Sequence, residues 1–137
     1  MQLTRAADYG VRVMVHLASL PSNALTSLPA LAEAVEVPEQ FLSKVLQTLC
    51  RSRLIHSQRG ASGGFRLAAD PEAVSLLQVV EAIEGPIQLN ACLGVQGCTR
   101  KSWCPAHLVW VEAQRALTDV LQRASIAKLA REAGRMS

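Results

Sequence analysis

The sequence predicts a mainly α-helical chain with one small β-hairpin, and three observations carry that expectation. Apolar residues recur at helical spacing over most of the 137 residues. The Gly-rich stretch Arg59-Gly60-Ala61-Ser62-Gly63-Gly64 interrupts that pattern between two short extended runs. Past Trp103 the apolar positions advance in alternating steps of three and four. Half of the residues are hydrophobic and 18% are charged, which suits one domain with a buried core and disfavours a disordered chain.

Residues 3–20 place Ala7, Val11, Met14, Val15 and Ala18 on one face of a first helix, ended by the turn cluster Pro21-Ser22-Asn23. Thr26 or Ser27 can cap a short second helix over 28–35, with Pro29 in its first turn, where a missing N–H costs nothing. Glu36-Val37-Pro38 breaks the chain, and a third helix is expected over 39–52 with Phe41, Leu42, Val45, Leu46 and Leu49 on its core side. Two short helices joined by so tight a turn read as a helix-turn-helix. The extended runs 54–58 and 65–68 then form a hairpin, and that order is the order of a winged helix-turn-helix.

Asp70-Pro71 closes the hairpin, and a fourth helix over 74–84 ends at Gly85-Pro86. Residues 85–103 show neither periodicity and hold Cys92 and Cys98, with Cys104 next in the chain, so this long loop is expected to be functional. Trp103, Ala106, Trp110, Ala113, Leu117, Val120 and Ala124 make a seam on a long C-terminal helix. Packing on the chain's own core is one reading of the seam. Its regularity favours a homodimer joined along Trp110, Ala113, Leu117, Val120 and Ala124. A last short helix is expected over 125–136. The expected organisation is thus a winged-helix unit over 1–84, a cysteine loop over 85–106, and a dimerisation helix with a C-terminal helix over 107–137.

The formal net charge of +3 says little, but its distribution says more. Between Glu39 and Asp70 there are five basic residues, Lys44, Arg51, Arg53, Arg59 and Arg66, and no acidic one, so that interval carries +5 and the rest of the chain −2. These cations fall on the third helix and the hairpin, the two elements a winged helix lays on double-stranded DNA, where phosphates reward them through counterion release. The exposed start of the third helix would offer Glu39, Gln40, Ser43, Lys44 and Gln47 to base edges, with Arg51 behind them. Arg59 at the turn could enter the minor groove, Arg66 adds charge, and Gly60, Gly63 and Gly64 allow close backbone approach.

Cys92, Cys98 and Cys104 are evenly spaced, and His107 follows. Thiolates on such a loop suit an iron–sulfur cluster, Zn²⁺ or a thiol redox switch, and the wide spacing favours the cluster over a zinc knuckle. Cys50, among Leu46, Leu49 and Leu54, reads as an apolar core cysteine. No P-loop, Gly-x-Gly-x-x-Gly, Gly-x-Ser-x-Gly or His-Glu-x-x-His motif is present, and the three histidines form no catalytic set, so neither an enzyme nor a small-molecule substrate is expected. Arg5, Asp8, Arg12 and His16 break up the first helix too often for a secretory signal, and no apolar run is long enough to span a membrane. A cytoplasmic protein is expected, in which the cysteines stay reduced.

The opening segment Met-Gln-Leu-Thr-Arg-Ala-Ala-Asp-Tyr-Gly-Val-Arg, the wing Arg59-Gly60-Ala61-Ser62-Gly63-Gly64-Phe65 and the Cys92-x₅-Cys98-x₅-Cys104-x₂-His107 pattern together resemble the IscR/NsrR/RirA-type family of bacterial winged-helix regulators. The resemblance spans essentially the whole chain. It implies a homodimeric transcription factor on a palindromic operator, with one iron–sulfur cluster per subunit whose state reports iron supply, oxidative stress or nitric oxide. It also implies that Cys92, Cys98 and Cys104 are cluster ligands. Two branches differ in the fourth ligand: one uses a histidine placed as His107 on a [2Fe–2S] cluster, the other an aspartate placed as Asp8, donated by the partner subunit to a [4Fe–4S] cluster. The opening segment favours the aspartate and [4Fe–4S], while the cysteine spacing with His107 fits the [2Fe–2S] branch at least as well; of the two, [4Fe–4S] is the form expected.

Overall fold

Helices and a hairpin follow one another in the expected order in a computed structural model that describes residues 3–94, 97 and 99–136. They are α1 (Arg5–Ala18), α2 (Leu28–Val35), α3 (Glu39–Arg51), β1 (Ile55–Gln58), β2 (Gly64–Leu67), α4 (Leu76–Glu84), a single 3₁₀ turn (Ala91–Leu93), α5 (His107–Arg123) and α6 (Ile126–Met136).

Capping chemistry sets most of the boundaries. Thr4 Oγ1 accepts from the Ala7 N–H at 3.2 Å, and the Thr4 N–H donates to Glu84 Oε1 at 2.6 Å, which ties the start of α1 to the end of α4. Ser27, not Thr26, caps α2 by accepting from the Ala30 N–H at 3.3 Å. Thr26 is taken by the hairpin, exchanging backbone hydrogen bonds of 3.0 and 2.8 Å with Phe65. A capping box between Ser75 and Gln78 starts α4 at Leu76, two residues later than the apolar pattern predicts. The helix-turn-helix bend is made by Glu36 in the left-handed region at φ 58°, with the Val37 N–H reaching back to the Ala32 carbonyl at 3.1 Å. Arg53, at φ 61°, makes the corresponding bend from α3 into β1.

α1 is the central helix, packed against α2, α3, α4 and α6. Neighbours on several sides shift its buried face from the expected stripe: Gly10, Val13 and Leu17 join Ala7 and Met14 inside, while Val11, Val15 and Ala18 are half-buried. On α3, Leu42, Val45, Leu46 and Leu49 are buried as expected. Phe41 is not a core residue: it is 57% exposed beside Arg5, Ala6 and Tyr9.

The C-terminal end returns to this core. Ile126 is fully buried among Met14, Leu17, Val74 and the rest of the cluster, so the boundary expected at residue 84 does not detach α6 from the winged-helix unit. A short antiparallel bridge holds the return: Leu76 N–H to Ala124 carbonyl at 2.8 Å and Ile126 N–H to Val74 carbonyl at 2.9 Å. Between these ends α5 lies along α4. It begins at His107 because Pro105 disfavours helical backbone at Cys104. Among the described residues, no helix is long and apolar enough to cross a membrane.

Candidate nucleic-acid interface and cysteine loop

The outward row Ser43, Gln47 and Arg51 of α3 faces the hairpin across a groove of about 680 Å³, whose other wall carries Arg59, Gly60, Gly63 and Gly64. Ser27 and Leu28, at the start of α2, close one end. Arg51 and Arg59 line it with no acidic residue, so the groove presents positive charge to any anionic partner. Glu39, Gln40 and Lys44 are exposed on α3 but lie outside this lining.

Arg66 departs from expectation. It pairs with His56 across the hairpin, and the alternation of the strand turns it away from the groove that Phe65 lines, toward a depression shared with Ala68, Asp70 and Pro71. Gly63 and Gly64 are demanded by space: a Cβ on Gly63 would lie 2.0 Å from the Gln58 carbonyl oxygen, and one on Gly64 2.5 Å from that of Thr26. Gly64 also sits at φ +154°. The wing therefore closes on its own first strand and on the segment leading into α2.

Cys50 also lines the groove, alongside Ser57 and Gln58. It is half-buried and packs against the core cluster as the sequence suggests, and because Ser43, Gln47 and Cys50 share one helical row it also reaches the groove. Burial pushes its thiol up, against a smaller opposing effect of a hydrogen bond with Ser57.

In the cysteine loop, Cys92 is half-buried on the 3₁₀ turn, and its Sγ donates to Asn90 Oδ1 at 2.7 Å. Cys104 is half-buried two residues before the α5 N-cap. Cys98 lies outside the described residues, and among those described no three His, Cys, Asp or Glu side chains come together as a metal site. His107 is buried at 8% exposure, and its Nδ1 is a buried atom with no hydrogen-bond partner among the described residues. Its backbone N–H bonds the Cys104 carbonyl at 3.3 Å, and the Leu89 N–H bonds Gln114 Oε1 at 2.9 Å, so the loop is fastened to α5 at two levels. Asp8 is exposed on α1 and ion-paired with Arg12 at 2.9 Å.

The donor chemistry here fits an iron–sulfur cluster. An unpaired buried imidazole nitrogen is costly unless something binds it, and the thiols of the same loop are soft ligands for iron.

The expected seam on α5 is rotated. Leu117 is half-buried on the side of α5 that includes Val111 and Leu121, Ala124 follows the helix as its C-cap, and Trp103 precedes it at 68% exposure. The stripe left open is Val109, Ala113, Ala116 and Val120, with Trp110 beside it; Val109 and Val120 are 59% and 56% exposed. Its steps of four, three and four preserve the heptad spacing; it shares Ala113 and Val120 with the expected seam and has Ala116 where that seam has Leu117.

Residues 3–132 match the Rrf2 family, described as iron-dependent transcriptional regulators. The chain is 31% identical over 131 residues to the HTH-type transcriptional regulator NsrR of Shouchella clausii, covering 94% of this chain and 88% of that protein. Its structure is similar to that of CymR, the global cysteine regulator of B. subtilis, with a TM-score of 0.80 and 25% identity over 96% of this chain and 98% of the other. It is also similar to T. potens IscR, with a TM-score of 0.73 and 25% identity over 97% and 88% of the two chains.

Proposed function

The chain belongs to the Rrf2 family of transcriptional regulators and is not an enzyme, and from that premise we propose that it is a DNA-binding homodimer whose operator affinity is set by an iron–sulfur cluster on Cys92, Cys98 and Cys104. The observation that carries the cluster is the buried His107 Nδ1, which has no hydrogen-bond partner among the described residues.

α3 and the wing bind the duplex. The exposed side chains of Glu39, Gln40, Lys44 and Gln47 meet base edges, Arg51 and Arg59 meet phosphates, and Ser43 with Gly60, Gly63 and Gly64 lets the backbone come close. Two copies joined along the open stripe of α5 present two such faces, which matches a palindromic operator.

An iron–sulfur cluster supplies one-electron chemistry and reactivity toward small oxidants at the thiolates. The chain's own part is mechanical. Cys104 and His107 hold the first turn of α5, α5 lies on α4, and α4 packs against α1 and α3. A change in how the loop is held thus has a packed route to the recognition helix.

The orphaned imidazole favours His107 as fourth ligand, and with it [2Fe–2S], over Asp8 from a partner subunit and [4Fe–4S]. The likeness to CymR, a cysteine regulator that has also been solved in an oxidized form from Staphylococcus aureus, favours a second reading, a thiol redox switch in place of the cluster.

The test is anaerobic purification with iron and sulfide analysis and an absorption spectrum, then operator affinity of holo and apo protein at one salt concentration. Cluster absorbance and an affinity difference are expected. A colourless protein with equal affinities removes the cluster reading. Loss of the cluster in His107→Ala with retention in Asp8→Ala supports the imidazole ligand, and the reverse supports the carboxylate.

A further inference from the structure

α3 carries an aromatic ring that the fold neither buries nor uses. Phe41 stands in the first turn of the helix, about 100° round from the buried Leu42 and on the opposite flank from Ser43, which faces the wing. The ring is 57% exposed. Its sheltered part, with Arg5, Ala6, Tyr9 and Val45, lines a shallow apolar pocket of about 170 Å³, so α1 stands against one side of the ring.

Charge selects what can cover such a ring. Arg5 shares the pocket and Lys44 is exposed on the next turn of α3, so a second copy of this surface would bring like charges together. A nucleic-acid surface brings phosphates to those cations. In the major groove it also displays one apolar group on its base edges, the C5-methyl of thymine.

We propose that Phe41 is a base-reading residue that contacts a thymine methyl in the major groove, at the edge of the recognition helix away from the wing. This rests on the DNA-binding reading above and adds a specificity determinant to it. The hydrogen-bonding side chains Gln40, Lys44 and Gln47 read polar edges, and Phe41 reads the methyl beside them.

The experiment begins with wild-type protein and the Phe41→Ala and Phe41→Leu variants, each used to select duplexes from the same random DNA pool at one salt concentration. Wild type is expected to enrich thymine at one position in each half-site, and Phe41→Ala to lose that preference while keeping the others. Replacing that thymine by deoxyuridine, which removes only the methyl, should weaken wild-type binding about fourfold per half-site and leave Phe41→Ala unaffected. Phe41→Leu should retain part of the methyl dependence. Because the ring is exposed, all three proteins should unfold at similar temperatures, so a loss of affinity cannot be put down to misfolding. Identical selected sequences for wild type and Phe41→Ala, or equal sensitivity to deoxyuridine, would overturn the assignment. Failure of wild type to enrich any duplex at low salt would overturn the DNA-binding reading itself, and this proposal with it.

Discussion

Arg12 donates from Nη1 to the carbonyl of Val35 at 3.1 Å, joining the middle of α1 to the last residue of α2. Its other terminal nitrogen holds Asp8, and its guanidinium lies 5.7 Å from the centre of the Tyr9 ring. The bond to Val35 satisfies a helix-end carbonyl at the bend that aims α3. Arg12→Ala should cost about 1 kcal/mol in urea unfolding. Asp8→Ala should cost much less, because that ion pair is exposed and adjacent on one helix. Equal costs for the two would mean that the ion pair, and not the carbonyl bond, is the useful contact.

The bend itself can be improved. Glu36 occupies the left-handed region at φ 58°, a conformation that carries a steric cost for any residue with a Cβ. Glu36→Gly should therefore raise stability by about 0.5–1 kcal/mol, read as a higher midpoint in chemical denaturation with an unchanged slope. A lower midpoint would show that the Glu36 side chain has a role that its exposure does not reveal.

The wing is less forgiving. Gly63→Ala puts a methyl where the Gln58 carbonyl oxygen stands, and that atom is backbone that cannot swing aside. The variant should bind DNA at least tenfold more weakly while α1, α3 and α4 stay folded by circular dichroism, since the hairpin lies at the edge of the core. Wild-type affinity in Gly63→Ala would mean that the wing tip does not touch the duplex.

Cys50 gives a chemical handle on the same groove. Burial holds its folded-state pKa above the ordinary 9.0, so the folded protein keeps the proton where the unfolded chain has begun to ionise. The stabilisation that follows is complete below about pH 9 and falls as pH rises beyond it, and Cys50→Ala should remove that dependence. Alkylation of Cys50 at pH 8 should be slower than that of a free thiol, and operator DNA should slow it further, because the residue lines the groove between α3 and the wing. DNA-independent alkylation would place the duplex elsewhere.

On α5, a Val109→Glu, Val120→Glu double variant should sediment as a monomer and lose affinity for a two-half-site operator far more than for a single half-site. Leu117→Ala should instead lower thermal stability, since that side chain is half-buried. A dimeric double variant would mean that the open stripe is not the dimer contact.

The fold was legible wherever a residue type admits only one role. Pro38, Gly85 and the Gly-rich wing marked the ends of elements, and the alternation of apolar residues marked α3 and α4 to within two residues. What periodicity could not supply was the surroundings. The buried face of α1 turned toward neighbours that come from distant parts of the chain, α4 and α6 among them. Phe41 looked like core because it is aromatic, but no partner covers it at the end of α1. On α5 a three-four pattern does not say which of two adjacent rows the chain itself covers, so Ala113 and Val120 stand exposed while Leu117 is half-buried. The ligand role of His107 comes from the resemblance, and its Nδ1, without a partner among the described residues, is visible only when the burial around it is known.

The bridge between residues 74–76 and 124–126 has a consequence for how the molecule is made. Ile126 sits at the centre of a cluster built otherwise from residues 13–79, so that cluster stays incomplete until the chain has run out along α4, the cysteine loop and α5 and come back. Closing so long an excursion carries an entropic cost that local helix formation does not. On the ribosome, the helix-turn-helix and hairpin emerge first with a cleft against α1 still open, and α6 seals it only after the cysteines have left the exit tunnel. Packing around Ile126 is therefore the step that completes the core beneath the helix-turn-helix, in whatever order the individual helices form.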